Sequence, residues 1–117
     1  MAPHFDPLPE PYRSRLAELH AAAASVGLVL PGTVLERYMP CGKPSCRCQG
    51  DPPVLHGPYW QWTRKVDTKT RTVRLQPDQA RLYRAWTANR RSLEQLIADW
   101  DALGLEAAEE ILKRSRP

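Results

Sequence analysis

The sequence predicts an α+β fold in which helices flank a small antiparallel sheet. Apolar residues recur at helical spacing near both ends of the 117-residue chain. The middle of the chain instead holds short runs rich in β-branched and aromatic residues, together with all three cysteines. We therefore divide the sequence into a tail at 1–11, a helix plus sheet at 12–76, and a long helix plus a short terminal helix at 77–117.

The first helix is expected after a proline-rich tail. Residues 1–11 contain four prolines and few side chains that could pack, which predicts a flexible, extended segment. The apolar residues that follow are spaced by 4, 3, 4 and 3 positions, the pattern of one face of an amphipathic helix. They are Tyr12, Leu16, Leu19, Ala23 and Val26. Gly27 is the expected stop, and Pro31-Gly32 marks a turn.

A three-stranded antiparallel meander is predicted for the middle of the chain. β-branched and aromatic residues dominate the stretch 33–38, and we predict one strand there and one each at 59–66 and 71–76. A cysteine loop at 40–56 separates the first two strands. The second and third strands form a hairpin connected by residues 67–70, which contain no glycine.

The long helix is expected to start at Pro77, because proline suits the first helical position and Asp78 suits the first turn. Seven residues then recur at alternating spacings of 4 and 3, which is a heptad pattern. They are Leu82, Trp86, Asn89, Leu93, Leu96, Trp100 and Leu103. Gly104 is expected to end or bend this helix, and 105–114 are predicted as the short terminal helix.

The cysteine loop has the residue types of a zinc site. Its spacing is Cys41-x4-Cys46-x-Cys48-x7-His56. Three thiolates and one imidazole are a standard tetrahedral set for structural zinc, and clustered cysteines in a reducing compartment are metal ligands more often than disulfides. We therefore predict one zinc ion that ties this loop to the sheet.

Alternatives remain open at this site. The cysteines could lack a metal or could serve as reactive thiols, since the single residue between Cys46 and Cys48 is a shorter gap than zinc knuckles usually have. His56 is the nearest fourth ligand in the sequence, and His4 and His20 are the other candidates.

Several classes of protein lack support in the sequence. The zinc deaminase and H-E-x-x-H patterns are absent, as are the nucleophile elbow, the Walker loop and the Rossmann glycine pattern. No apolar run is long enough for a transmembrane helix, and the N-terminus lacks the features of a secretory signal. We therefore expect a cytoplasmic protein that is not an enzyme and has no membrane partner.

Positive charge is concentrated in the middle of the chain. Residues 32–76 contain eight basic and three acidic residues, a net charge of +5, while the rest of the chain sums to −1. Such a centre favours an anionic partner, most commonly nucleic acid, although an ordinary solvated surface is the alternative. The residues predicted to contact phosphates are Lys43, Arg47, Arg64, Lys65, Lys69, Arg71 and Arg74.

Two further features can be interpreted as core or as binding surface. Trp60 and Trp62 lie on one side of the second strand with Arg64, where they could stack on bases or cover the helices. We favour the core, because the chain has a single phenylalanine and needs other large apolar side chains.

The heptad residues of the long helix could pack against the first helix or against another protein, and Asn89 would fix the register of a parallel dimer. Here we favour self-association or a partner.

The segment C-G-K-P-S-C-R-C at 41–48, followed by H-G-P-Y-W from His56, resembles a family of small bacterial and archaeal proteins known mainly as a domain of unknown function. The similarity extends over nearly the whole chain, from Pro31-Gly32-Thr33 to the long C-terminal helix. The resemblance implies a zinc-like loop at the same three cysteines and His56. It also implies gene neighbours among transposases and recombinases, and it brings no established activity.

The leading hypothesis is a zinc-stabilised nucleic-acid-binding protein, an accessory to the DNA transactions of a mobile element or recombinase complex. Binding should depend on salt and little on sequence, because phosphate contacts position a protein without specifying bases. The alternative is a protein–protein adaptor in which zinc is purely structural and the long helix docks a larger partner.

Overall fold

The structure is a computed structural model, and it describes residues 8–115. Helices lie at both ends of this range, with three strands and a short 3-10 turn between them. The elements are α1 (Tyr12–Ala24), β1 (Thr33–Met39), the 3-10 turn Arg47–Gln49, β2 (His56–Val66), β3 (Lys69–Leu75) and α2 (Pro77–Ser115). The strands form one antiparallel sheet in the order β1-β2-β3, so the predicted α+β class and meander are confirmed.

The chain groups into two compact units by contact. The sheet unit is Leu28–Arg90 and contains the sheet and the first part of α2. The helical unit is Met1–Gly27 with Arg91–Pro117, and it contains α1 and the remainder of α2. The predicted segments 12–76 and 77–117 do not coincide with these two units, because the boundary between the units falls inside α2.

The register of the sheet sorts its side chains onto two faces. Val34 lies opposite Trp62, and Trp62 lies opposite Val73, so these three side chains share one face. Leu35, Gln61 and Arg74 are likewise in register and share the other face. The pairing of β1 with β2 shifts between Arg37 and Met39, where a bulge interrupts the ladder.

The hairpin between β2 and β3 is tighter than the predicted connection at 67–70. Val66 pairs with Lys69, which leaves only Asp67 and Thr68 in the turn. Both residues have positive φ angles, 52° and 68°, as a type I′ turn requires at its two central positions. The predicted connection was therefore two residues too long, because strand pairing continues to Val66 and Lys69. Asp67 is a residue type that tolerates a positive φ, whereas Thr68 adopts it without that preference.

The sheet unit packs one sheet face on the start of α2. The Trp62 ring meets the edge of Tyr83 at 5.3 Å between centroids, and Tyr83 lies 5.5 Å from Trp86. The residues most buried beside these rings are Leu75, Ala80 and Thr87. Trp62 therefore serves as a packing residue, as one of the two sequence interpretations proposed.

The helical unit is held by apolar contacts between its two helices. Tyr12, Leu103 and Ala107 form a buried cluster, against which Leu8, Leu16 and Leu19 pack. The ring of His20 lies 5.4 Å from that of Trp100, and Arg15 donates to Glu106 at 2.6 Å. The predicted apolar face of α1 is thus confirmed at its start. Residues 1–7 of the predicted tail lie outside the described residues, whereas Leu8 is packed.

Helix α2 runs without interruption from Pro77 to Ser115, so the predicted break at Gly104 and the separate helix at 105–114 are wrong. A glycine inside a helix costs only about 1 kcal/mol relative to alanine. The packing of Leu103 and Ala107 on either side outweighs that cost. Among the described residues, no helix is both long and apolar enough to cross a membrane.

The heptad pattern of α2 has mixed burial. Leu103 is buried against α1, and Trp86, Asn89, Leu93, Leu96 and Trp100 are half-buried. Leu82 is 52% exposed, because the start of α2 turns Ala80, Tyr83 and Thr87 inward instead. Asn89 donates its side-chain amide to the Leu28 carbonyl at 2.7 Å, an interaction within the sheet unit. Binding of a partner along this pattern stays a prediction.

Candidate metal centre

The loop between β1 and β2 brings the four predicted ligands together. Cys41 follows the end of β1 by two residues, and His56 opens β2, where it pairs with Met39. Cys46 precedes the 3-10 turn and Cys48 lies within it. Pairing of the two strands therefore holds the ends of the loop close together, and the turn folds the middle of the loop back on them.

Backbone hydrogen bonds fix the path of this loop. The Cys46 N–H donates to the Lys43 carbonyl at 3.1 Å, and the Gln49 N–H donates to the Cys46 carbonyl at 3.0 Å. The Arg47 carbonyl accepts from both Gly50 and Val54, at 3.0 and 3.1 Å. These successive turns curl the chain around the three sulfur atoms.

The four ligand atoms lie close enough together to surround one ion. Cys46 Sγ lies 3.2 Å from His56 Nε2, and Cys48 Sγ lies 3.5 Å from Cys41 Sγ. All four ligand atoms fall within 4.8 Å of one another. Zinc bonds of about 2.3 Å to sulfur and about 2.0 Å to nitrogen place neighbouring ligand atoms roughly 3.5 to 3.8 Å apart. The Cys3His group therefore fits a single metal ion, with every tetrahedral position supplied by the protein.

The local environment gives the thiols different acidities. Hydrogen bonds from the backbone and side chain of Cys48, then from His56 and Cys41, lower the pKa of the Cys46 thiol to about 6. For Cys48 the backbone N–H of Cys41 acts to lower the pKa, but burial and the neighbouring thiols outweigh it and the pKa is raised. Cys46 is therefore ready to bind a cation as the thiolate, while Cys48 needs the cation in order to lose its proton.

Gln49 is a supporting residue that the sequence did not identify. Its side-chain amide donates to the Cys41 carbonyl at 2.7 Å and lies 3.8 Å from Cys48 Sγ. Cys48 Sγ also accepts the Cys41 N–H at 3.2 Å. Donors of this kind orient ligands and offset the charge of thiolates. No spacing rule marks a glutamine for this role, so only the folded loop could show it.

The alternative histidines do not join the cluster. His20 lies on α1, where its ring contacts Trp100, and His4 is outside the described residues. Of the histidines that the structure describes, His56 is the one within reach of the three thiols.

The predicted phosphate contacts fall in three places. Lys43 and Arg47 are exposed on the metal loop. Arg64 and Arg71 lie opposite each other on the sheet face that carries Trp62, and Lys69 follows the hairpin turn. Lys65 and Arg74 lie on the opposite face, which also carries Arg37. The structure therefore distributes the seven residues around the sheet rather than along one surface.

Two of these arginines are engaged with aromatic rings. The guanidinium of Arg64 lies 4.1 Å from the centre of the Trp62 ring, and that of Arg74 lies 4.2 Å from the centre of Tyr59. Arg64 Nη1 is buried without a hydrogen-bond partner among the described residues. Arg64 would have to leave its ring to reach a phosphate, whereas Arg74 is exposed in place.

Charge separates the two units more strongly than the sequence segments suggested. Residues 28–90 hold eleven basic and four acidic residues, a net charge of +7. Residues 1–27 and 91–117 hold six basic and nine acidic residues, a net charge of −3. The sheet unit gains Arg81, Arg84 and Arg90 from the start of α2. Sequence analysis missed them as contacts because they lie beyond the predicted segment boundary.

Comparison with known proteins assigns the chain to a family. The family model matches residues 9–85, about two thirds of the chain. This range includes all four candidate ligands, the whole sheet and the start of α2. No curated protein and no solved structure matched the chain. The chain belongs to the family described as a domain of unknown function, DUF6788.

Proposed function

We propose that this protein is a zinc-stabilised nucleic-acid-binding module. The observation that carries the proposal is the net charge of +7 on the same unit that holds the Cys3His group. A compact basic unit attracts the phosphate backbone and releases its counterions, which supplies sequence-independent affinity. The transposase and recombinase neighbours implied by the family resemblance make DNA the first substrate to test, with a role as an accessory in mobile-element transactions.

The metal has a structural rather than a catalytic role in this proposal. Catalytic zinc sites keep one position open for water or substrate, whereas here three thiols and one imidazole supply all four. An ion held by the four residues would tie the loop to the start of β2 through His56. Lys43 and Arg47 are exposed on the same loop. Zinc is the metal of choice for a set of three thiolates and one imidazole.

The sheet offers two places for phosphates. Arg37, Lys65 and Arg74 are exposed on one face, which also carries Tyr59. At the end of the other face, Arg71 is exposed opposite its cross-strand partner Arg64, whose guanidinium would have to leave the Trp62 ring to reach a phosphate. Like charges in this position repel each other, and an anion placed between them would remove the repulsion.

Charge reversal on each face tests the proposal. Lys65→Glu/Arg74→Glu and a separate Arg71→Glu variant should weaken binding of labelled duplex DNA, single-stranded DNA and RNA in fluorescence anisotropy. The wild-type affinity should fall steeply with salt. The control Lys113→Glu/Arg114→Glu makes the same change of net charge as the double variant, at the end of α2, and should retain binding. Equal losses in the control, or no binding by folded and zinc-loaded protein, would reject the proposal.

A protein–protein adaptor is the second candidate function. It is favoured by large apolar side chains exposed along α2, namely Leu82, Ile97 and Leu105, the last of which is 72% exposed. Such residues on a helix are typical of a docking surface. Light scattering tests self-association directly, and a monomer mass would leave only a different protein as the partner.

A further inference from the structure

A cavity opens at the corner of the sheet unit where β3 turns into α2. Its volume is about 440 Å³, and it is lined by Trp60, Pro77, Ala80, Arg81 and Arg84. Small-molecule sites in proteins have volumes of about 300 to 1,000 Å³, so this cavity can hold one planar ligand of moderate size. All five lining residues lie within the part of the chain that matches the family.

The elements that form the cavity separate an apolar base from a charged wall. Trp60 on β2 pairs with the buried Leu75 of β3, and β3 ends two residues before Pro77. Ala80 is buried at the first turn of α2, so the base is apolar. Arg81 and Arg84 follow on the same helix and are exposed, so the wall carries two positive charges.

The tryptophan ring is less closely covered here than the other stacked rings of the sheet. The Arg84 guanidinium lies 5.2 Å from the centre of the Trp60 ring, compared with 4.1 Å for Arg64 on Trp62. The longer distance coincides with the open volume at this corner. A flat ring can therefore approach Trp60 while Arg84 remains near its edge.

The surrounding charges favour an anion in this place. Pro77 lines the cavity but has no N–H to donate, so the positive charge here comes from the side chains of Arg81 and Arg84. Glu36 is the cross-strand neighbour of Trp60, but its carboxylate already accepts the Tyr38 hydroxyl at 2.8 Å. Asp78 lies in the first turn of α2 and is exposed. Two arginines thus line the cavity, and neither of the two neighbouring carboxylates does.

We propose that this corner cavity binds a nucleotide, with the base stacked on Trp60 and the phosphate held by Arg81 and Arg84. A purely apolar ligand does not account for the two arginines, and a simple anion does not account for the tryptophan. Aromatic side chains stack on bases of any sequence, and guanidinium groups pair with phosphate through two parallel hydrogen bonds. If the nucleotide is part of a nucleic-acid strand, this proposal rests on the proposed function and names one of its contacts.

Four probes separate the parts of this ligand. Adenosine 5′-monophosphate, adenosine, inorganic phosphate and a short deoxythymidine oligonucleotide are titrated into the zinc-loaded full chain, with backbone and indole N–H signals followed by NMR. We expect the monophosphate to bind more tightly than either adenosine or phosphate and to shift the Trp60 indole. A free nucleotide is the ligand if the monophosphate binds and the oligonucleotide does not. A strand is the ligand if the oligonucleotide binds more tightly.

Variants decide whether the cavity is the site. Arg81→Glu/Arg84→Glu should weaken binding of the monophosphate about tenfold or more, and Trp60→Leu should remove the preference for it over phosphate. Trp60→Phe keeps an aromatic ring and should retain most of the affinity. It serves as the second test of Trp60 if Trp60→Leu fails to fold. Lys113→Glu/Arg114→Glu is the control with the same change of charge, and it should leave the affinity unchanged.

The two proposals fail separately in this experiment. If Arg81→Glu/Arg84→Glu binds both probes as the wild type does, the cavity is not a nucleotide site, whatever the hairpin variants do. If Lys65→Glu/Arg74→Glu retains oligonucleotide binding while the cavity variant loses it, the cavity proposal holds and the sheet-face proposal fails. Shifts that appear equally at the indoles of Trp86 and Trp100 would indicate general association and would overturn the site.

Discussion

The sheet unit and the helical unit of this chain are stabilised by different means. The helical unit has a net charge of −3 and is held by an apolar cluster around Tyr12, Leu103 and Ala107. The sheet unit has a net charge of +7, and its most buried side chains are small or medium in size, among them Cys48 at 3% exposure. Its tryptophans remain half-buried. The comparison leads us to expect that the basic unit needs a metal at its Cys3His group for stability, whereas the acidic unit is held by apolar contact.

We expect the sheet unit to need a metal because it is both small and positively charged. A positively charged unit repels itself, and a small unit buries too little apolar surface to offset that repulsion comfortably. A metal that joins the loop to two strands adds stability without adding a large core. The exposed faces of the sheet then stay free for basic side chains.

The largest expected effect is that of removing the metal. Structural zinc contributes on the order of 10 kcal/mol of apparent binding free energy in small domains, and that energy is folding energy. We expect a strong chelator to abolish the chemical-shift dispersion of the tryptophan and amide signals of the sheet unit in NMR, while the α1 signals and most of the helical circular dichroism remain. Cys46→Ser should have the same effect without a chelator.

A neighbouring substitution controls for the loop itself. Lys43→Gln changes an exposed residue between the ligands and should leave zinc content and spectra unchanged. If chelation and Cys46→Ser both leave the sheet signals intact, the sheet unit is stable without metal and the comparison between the units fails.

Acid is expected to separate the two units next. In the metal-bound fold the cysteines are thiolates, whereas the unfolded chain binds protons at these residues, so stability rises with pH and falls as pH is lowered. Without the metal, the hydrogen bonds from Cys48, His56 and Cys41 alone lower the pKa of Cys46 to about 6, so its own contribution is complete above its ordinary pKa near 9 and is lost as pH falls through about 6. In the helical unit the Tyr12 hydroxyl lowers the pKa of Glu110 below 4.5, so that contribution is lost only in stronger acid.

A pH titration with a zinc indicator measures this difference. Between about pH 7.5 and about pH 5 the sheet unit should release zinc and lose its NMR dispersion, while the helical unit keeps its circular dichroism. Simultaneous loss of both signals would show that the units unfold as one body.

The sequence predictions succeeded where structure depends on residues close in sequence, and they failed where it depends on distant contacts. The apolar face of α1 and the three strands depend on residues close in sequence, and periodicity identified them. The four candidate ligands also lie within one short loop, between Cys41 and His56, so their clustering was predictable. Gly104 was misjudged because its cost in the helix is small beside the tertiary packing of Leu103, which no local pattern reveals.

Other features of the site arise only in the folded chain. Gln49 supports the ligands because a turn carries its amide to the Cys41 carbonyl. Arg81 and Arg84 line a cavity because α2 begins directly beside Trp60. A high content of basic residues predicts an anionic partner, but it does not show which of these side chains are exposed to solvent and which stack on an aromatic ring.

The apolar core of the helical unit gives a smaller effect than metal removal. Leu103→Ala deletes a leucine that is 4% exposed and packed beside Tyr12, and we expect a loss of about 3 kcal/mol from the free energy of unfolding of this unit. Urea denaturation followed by circular dichroism measures the loss. Zinc affinity should not change, and a large drop in zinc affinity would contradict the separation of the two units. The exposed Leu105→Ala is the matched control and should have little effect.

The smallest expected effect compares one glycine from each unit. Gly104 lies within α2, and a Cβ added there would meet no atom within 4 Å. Gly104→Ala should therefore raise the free energy of unfolding by about 1 kcal/mol, through the better helix propensity of alanine. Gly32 precedes β1 with a φ of +104°, and its Cβ would lie 2.4 Å from the Thr63 carbonyl oxygen. Gly32→Ala should instead destabilise the sheet unit.

Thermal unfolding of the two alanine variants makes this comparison with the metal bound. A higher midpoint for Gly104→Ala shows that the glycine interrupts nothing and that α2 is a continuous helix, whereas a lower midpoint would restore the break that the sequence suggested. For Gly32→Ala the indole of Trp62 is an independent probe, because its N–H donates to the Pro31 carbonyl at 2.9 Å beside the substitution. A shift of that signal without any change in zinc content would place the strain at the entry to the sheet and away from the metal.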